Sequence, residues 1–222
     1  MLIQTATVGP WHTNCHIVAE AAKQECLIID PGFGAAAFVN ETVQSYGLKP
    51  VAVLATHGHV DHIWQIFPVA TDLDIPAVIH KSDRGFLTDP ISAISPEGGK
   101  LVEAISPNHV WQEPEKVIEI SAEINLSFAG FELSVIPTPG HTAGSVCFEL
   151  GNEYLFTGDL LFKNAIGRTD LFSGDPMQMQ RSLHSILKRF ADDVVIYPGH
   201  GPDSCIGDER RLNPYLKDLQ DA

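Results

Sequence analysis

Thr56-His57-Gly58-His59-Val60-Asp61-His62 follows directly on the apolar run Val51-Ala52-Val53-Leu54. Four residues able to bind a metal, His57, His59, Asp61 and His62, thus fall within six positions. A buried strand that runs into such a cluster holds its side chains on a rigid end, at the mouth of the fold. His57 and His59 are two apart, so in extended chain they point the same way and can share one ion. Asp61 and His62 are adjacent and can turn to a second. Neutral imidazoles with one carboxylate suit zinc, iron(II) or manganese and lack the all-oxygen character that calcium prefers.

Three further ligand-type residues occur downstream in similar settings. Pro139-Gly140-His141-Thr142 follows the strand-like Phe131–Ile136, Phe156-Thr157-Gly158-Asp159 closes a short apolar run, and Pro198-Gly199-His200-Gly201 follows Val194–Tyr197. Each lies just past a strand and beside a glycine, where the backbone can turn tightly. A histidine after a strand is ordinarily a satisfied surface or core residue. Seven ligand-type residues in four matching contexts outweigh that reading. His12, His16, His80, His109 and His184 have no partner motif and are read as structural.

The His57–His62 stretch is the HxHxDH signature, and with the later motifs the chain resembles the metallo-β-lactamase superfamily along most of its length. The resemblance implies an α+β fold, a four-layer αββα sandwich in which two similar halves pack sheet on sheet. It implies that His57, His59 and His141 hold one metal, that Asp61, His62 and His200 hold a second, and that Asp159 bridges them. The cofactor expected is therefore two divalent ions per chain, zinc first, with iron or manganese as alternatives. Lactam-hydrolysing zinc members often offer a cysteine near position 159, whereas a carboxylate admits all three metals. Two such ions lower the pKa of a shared water toward ~7. The resulting hydroxide attacks an acyl carbonyl, and the cations hold the charge that develops. Asp61 is the natural proton acceptor and the catalytic candidate. Asp30 either orients a ligand histidine or is a turn carboxylate in Asp30-Pro31-Gly32.

A narrower resemblance comes from Gly167-Arg168-Thr169-Asp170, His200-Gly201-Pro202 and the run from Gly207 to Leu216. These are similar to the short bacterial branch of the glyoxalase II-like (hydroxyacylglutathione hydrolase-like) enzymes, over about Ile3 to Leu216. That family hydrolyses hydroxyacyl thioesters of glutathione, so a small-molecule thioester is the expected substrate. Its longer members carry a C-terminal helical segment, a Lys-Phe-Tyr-type run and a tyrosine after the last metal histidine, all of which contact glutathione. Here the chain stops soon after Leu216, Arg168–Phe172 replaces the run, and Gly201-Pro202 replaces the tyrosine. The hydrolytic centre is expected intact and the glutathione grip weakened. Arg168 is the candidate substrate contact, meeting a carboxylate bidentately, or else it pairs with Asp170. The competing readings are a persulfide dioxygenase with one iron on His57, His141 and Asp159, a lactonase or other small-ester hydrolase, and a non-catalytic metal-binding scaffold.

Composition narrows the classes. A net charge of −14 argues against a nucleic-acid partner, which needs clustered Lys and Arg. No apolar run reaches membrane-spanning length, and no signal peptide is visible at Met1–Ala6. Cys15, Cys26, Cys147 and Cys205 are scattered, without a CxxC pair, as in a reduced, cytoplasmic protein. Oligomeric state is not legible. The 222 residues suit one domain over 1–222. Strands are expected at Leu2–Val8, Cys15–Val18, Cys26–Ile29, Val51–Thr56, Ile75–His80, Glu123–Phe128, Phe131–Ile136, Val146–Leu150, Tyr154–Thr157 and Val194–Tyr197. Helices are expected at about 35–46, about 60–70 and 177–190. An irregular excursion spans about 88–116, and a short tail with a docking helix spans about 207–222.

Overall fold

The computed structural model describes residues 1–219 apart from Lys23 and Ala129. The link between the expected strands Glu123–Phe128 and Phe131–Ile136 therefore lies partly, and the end of the tail, 220–222, wholly, outside the described residues. The first half forms a six-stranded sheet in chain order: β1 (Leu2–Val8), β2 (Thr13–Ala19), β3 (Glu25–Ile29), β4 (Lys49–Leu54), β5 (Ala77–His80) and β6 (Val117–Ile120). β1, β2 and β3 are antiparallel, and β3 to β6 are parallel. The second half forms β7 (Ile124–Phe128), β8 (Phe131–Pro137), β9 (Val146–Leu150) and β10 (Tyr154–Gly158), a small β11–β12 hairpin (Leu161–Phe162, Ala165–Ile166), then β13 (Val195–Pro198) and β14 (Ser204–Cys205). The larger sheet there has the order β14-β13-β10-β9-β8-β7.

Adjacent residues along the central strands go to opposite sides, as the strand period of two requires. Val18, Leu27, Ile29, Ala52, Leu54 and Val78 face Leu133, Val135, Phe148 and Phe156 of the other sheet, forming the layer between the sheets. Their neighbours Ile17, Ile28, Val53 and Ile79 pack outward on α1 (Ala35–Tyr46), α2 (Val60–Ile63) and α3 (Ile66–Asp72). Cys147, Leu155 and Ile196 pack outward on α5 (Pro176–Arg189) and α6 (Ile206–Leu212). Strands buried on both faces read as continuous apolar runs, and the four layers are helix, sheet, sheet and helix. No helix among the described residues is long and apolar enough to cross a membrane.

Strands β6, β11, β12 and β14 were not expected from the sequence, and three further elements depart from its reading. The helix expected over about 60–70 is two, α2 and α3. The Gln65 N–H donates to the Pro31 carbonyl at 2.8 Å, and its side chain accepts from Ala36 N at 2.7 Å, so the chain turns there. The excursion at 88–116 holds α4 (Pro96–Ile105), because Ser95 caps the Gly98 N–H at 3.1 Å with Pro96 at the first helical position. The expected Val51–Thr56 strand starts at Lys49 and ends at Leu54, releasing Thr56 to the site. In the tail, α6 docks as expected: the Arg210 guanidinium donates to the Phe190 carbonyl at 3.0 Å, and Glu209, 1% exposed, accepts from Asn164 N at 2.7 Å.

Candidate metal centre

The C-terminal ends of β4, β8, β10 and β13 meet at one edge of the sandwich. Beyond them lie the His57–His62 turn, His141, Asp159 and His200. The two halves are fastened there by Asn14 of β2. Its amide donates to the Pro198 and Gly201 carbonyls at 3.0 and 2.8 Å, and its N–H to Gly199 O at 2.7 Å. Val146 N donates to Thr56 O at 2.8 Å from the other side.

All seven sequence-selected ligand candidates come together. Potential ligand atoms lie within 4.8 Å of one another in three overlapping groups: His57/His59/His141, His57/His62/Asp159 and Asp61/His62/His200. His57 Nε2, His59 Nε2 and Asp159 Oδ1 are buried without a hydrogen-bond partner. Buried polar atoms are almost always paired, so His57 Nε2 and Asp159 Oδ1, which share a ligand group, are left for an occupant that takes lone pairs, and His59 turns its other nitrogen, Nδ1, to the cluster, 2.8 Å from His141 Nε2. A divalent cation fits that requirement, and so does the donor set of imidazoles and carboxylates.

Four of the five histidines are braced through their other ring nitrogen. His62 Nδ1 lies 2.9 Å from Asp30 Oδ2, and His141 Nδ1 lies 2.7 Å from the Arg168 carbonyl. His200 Nδ1 lies 3.2 Å from the His12 carbonyl, and His57 Nδ1 lies 3.1 Å from Thr56 Oγ1. The Thr56 hydroxyl donates to Asp30 Oδ2 at 2.6 Å and so accepts from His57; Asp30 Oδ1 accepts Thr56 N at 2.8 Å. Asp30 therefore orients the His62 ring directly and the His57 ring through Thr56. Asp61 Oδ2 accepts from the Thr13 hydroxyl at 2.9 Å and lies 3.3 Å from His200 Nε2.

Charge is unevenly placed without metal. Burial, then the neighbouring His62, holds His57 well below the ordinary imidazole range; burial and His141 hold His59 at about 3. Burial opposes the charged form of His62, but Asp61, Asp159 and Asp30 outweigh it and raise it to about 9. Burial also opposes the charged form of His200, but Asp159 and Asp61 raise it to about 11. In turn, against burial, the neighbouring histidines hold Asp159 at about 2 and push Asp61 below the carboxylate range.

The cluster floors a cavity of about 230 Å³ whose walls include Trp11, Ile94, Ser95, Gly98, Arg168 and Leu171. Trp11 packs at a tilt on Trp64 with ring centroids 5.9 Å apart, and Trp64 meets Trp111 edge-on at 4.9 Å. The Arg168 guanidinium forms a two-pronged, exposed pair with Asp170 at 2.7 Å on each prong, while its backbone braces His141. The histidines read as structural lie outside the three ligand groups. His16 packs on Phe156 and Tyr197, and burial lowers it to about 4. His12 meets the cluster through its carbonyl, which faces His200. Sequence reasoning missed Trp11, Thr13, Asp83 and the α4 residues at the mouth. Only Asp83, an acid just past a strand, carried a sequence signal of the kind that singled out Asp30.

The sequence profile of the Metallo-beta-lactamase superfamily matches residues 8–200. An uncharacterized protein of Mycobacterium tuberculosis is 38% identical over 226 residues, covering 99% of both chains. A probable metallo-hydrolase of Bacillus subtilis, YqgX, is 33% identical, covering 94% of each. Hydroxyacylglutathione hydrolase GloC of Haemophilus influenzae is 29% identical, covering 97% of this chain and 98% of its own. Among solved structures, the BLEG-1 B3 metallo-beta-lactamase superposes with a TM-score of 0.83 at 32% identity, covering 97% of this chain and all of that one. TTHA1623 in a di-iron-bound form gives 0.76 at 32% identity, covering 96% of this chain and 100% of its own.

Proposed function

The chain belongs to the metallo-beta-lactamase superfamily and is a metal-dependent hydrolase of that family, and from that premise we propose that it hydrolyses small-molecule thioesters, in the manner of a hydroxyacylglutathione hydrolase. The observation that carries the reading is the convergence of five histidines and two aspartates in overlapping ligand groups, with His57 Nε2 and Asp159 Oδ1 buried and unpartnered, beside a cavity. His57, His59 and His141 would hold one divalent cation and Asp61, His62 and His200 a second, with Asp159 between. Zinc leads for this donor set, with iron or manganese admitted; a similar protein binds two irons. When bound, the pair supplies a water acidic enough to ionise near neutral pH and positive charge beside a carbonyl oxygen.

The chain's own residues do the rest. Asp61 Oδ2, steadied by Thr13, takes the proton of the attacking water. Asp30 and Thr56 keep the His62 and His57 rings turned to the ligand cluster. Trp11, Ile94 and Leu171 give the acyl group an apolar wall. A thiolate is a low-pKa leaving group and needs no dedicated acid. The 29%-identical GloC supports a thioester substrate, while the pairing of Arg168 with Asp170 leaves glutathione's carboxylates little to hold. The one-iron dioxygenases share the HxHxDH stretch and use the counterparts of His57, His141 and Asp159, but their last motif tends to read His-Asp, so His200-Gly201-Pro202 favours hydrolysis. The buried thiols Cys15, Cys26 and Cys147 fit a cytoplasmic location, and an acidic chain fits no nucleic-acid or membrane partner.

Metal analysis and a thioester panel on one preparation test this. Close to two ions per chain and thiol release from small acyl thioesters are expected. One ion per chain with oxygen uptake on glutathione persulfide would replace this reading with the dioxygenase. No thiol release by metal-replete protein would leave the lactonase.

A further inference from the structure

Asp83 follows the end of β5 and is fully buried, 0% exposed. One of its oxygens does two jobs. Oδ2 accepts the Gly58 N–H at 2.8 Å and the Thr142 hydroxyl at 2.7 Å. Gly58 stands between His57 and His59, and Thr142 follows His141. The carboxylate therefore ties together the two loops, 82 positions apart at His59 and His141, that supply all three histidines of one ligand group. It touches neither Asp61 nor His200.

The tie is packed as well as hydrogen-bonded. A methyl on Gly58 would fall 2.5 Å from the Phe86 ring and 3.0 Å from Asp83 Cβ, and one on Gly144 would fall 2.4 Å from Asp83 Oδ1. Gly144 thus approaches the carboxylate, and Gly58 the Phe86 ring and the Asp83 stem, too closely for a side chain at either position. Ser145 completes the connection: its hydroxyl accepts Thr142 N at 3.1 Å and lies 2.9 Å from Thr142 Oγ1. A buried carboxylate is costly unless its oxygens are paired; Asp83 Oδ1 has no hydrogen-bond partner, and burial pushes the carboxyl up from its ordinary range. A carboxylate kept at such cost is worth more as a clamp than as packing.

We propose that Asp83 is a positioning residue of the metal centre: it fixes the spacing between the His57–His59 loop and the His141 loop, and so sets the affinity of that ligand group separately from the Asp61/His62/His200 group. The inference rests on the two-cation reading above. Groups that orient metal ligands from behind typically change affinity 10–100-fold when removed.

The test is titration of metal-free protein with cobalt(II), followed by visible absorbance, beside urea unfolding of the same metal-free preparations. Asp83→Ala should weaken one cobalt step about 10- to 100-fold and leave the other within about threefold. Thr142→Val removes one hydrogen bond and keeps the shape, so it should weaken the same step by about fivefold. Thr13→Val, which loosens Asp61, should act on the other step. Asp83→Asn, which keeps one acceptor oxygen, should recover part of the loss. A lowered urea midpoint with both cobalt affinities unchanged would make Asp83 a core residue only and overturn the proposal, as would equal weakening of both steps. If Asp83→Ala does not fold, Thr142→Val decides: a selectively weakened step supports the proposal and unchanged affinities overturn it. Wild-type protein that takes a single cobalt overturns the two-cation reading instead, and Asp83 is then judged on that one step.

Discussion

Gly199→Ala adds one methyl group at the point where the second sheet hands His200 to the site. An ideal Cβ at 199 would stand 2.3 Å from Asp159 Oδ1 and 2.6 Å from His62 Cε1. Ordinary heavy-atom contacts lie near 3.5–4.0 Å, so the overlap is roughly 1 Å. The backbone has no slack to absorb it. Gly199 N donates to Gly158 O at 2.8 Å, and Gly199 O accepts Asn14 N at 2.7 Å. The displacement therefore falls on Asp159 and His62. Overpacking of this kind costs about 1–3 kcal/mol, which in a chain of this size is roughly 2–12 °C of Tm. Misplacing a reacting constellation by about 1 Å costs on the order of 10²-fold in rate. The assay is thermal unfolding, metal content and kcat on one preparation. Gly85→Ala, where an added Cβ meets nothing within 4 Å, is the control and should be close to wild type. A folded Gly199→Ala protein with full metal and kcat within threefold of wild type would refute the geometry.

Asp61→Asn should keep the fold but lose about 10²-fold or more in kcat; normal turnover with both metals bound would move the proton to another group, Asp159 first. The metal-free protein should be most stable near pH 6.5. Below that, the unfolded chain takes protons at His57, His59 and His16 that the folded chain refuses, so stability falls with falling pH. Above it, the folded chain keeps protons at His62, to about 9, and His200, to about 11, that the unfolded chain has released, so stability falls with rising pH. Urea midpoints at pH 5, 6.5 and 9 check this, and a midpoint still climbing at pH 9 would contradict it. S-lactoylglutathione should show a raised KM with kcat largely kept, because uniform binding is what a paired Arg168 forgoes; a micromolar KM would refute the weakened grip.

The ligand residues were legible because each sits just past a strand whose apolar run is itself readable, and because His57 to His62 carry their spacing along a single stretch of chain. The sandwich followed from the family resemblance those motifs carry; the apolar runs by themselves showed only mixed α and β with strands buried on both faces. What stayed hidden is held by distance in sequence. Thr13 reaches Asp61 across 48 positions and Thr142 reaches Asp83 across 59, and no local pattern announces such a hydrogen bond. Helix α4 was obscured for a different reason. Gly98 and Gly99 lower helix propensity, but Ser95 and Pro96 supply the start, and Val102, 4% exposed, supplies the buried anchor. The break at Gln65 was equally invisible, since it depends on the Pro31 carbonyl arriving from another turn.

The aromatic run from Trp11 through Trp64 to Trp111 contains all three tryptophans of the chain. Intrinsic emission therefore comes from one connected patch, and one end of that patch is a wall of the cavity above the histidines. An occupant that touches Trp11 changes the environment of the first emitter, and the others sense it through ring contacts. The protein carries its own optical reporter: entry of a candidate acyl group is readable as a shift or quench of native fluorescence, without label, turnover or added chromophore.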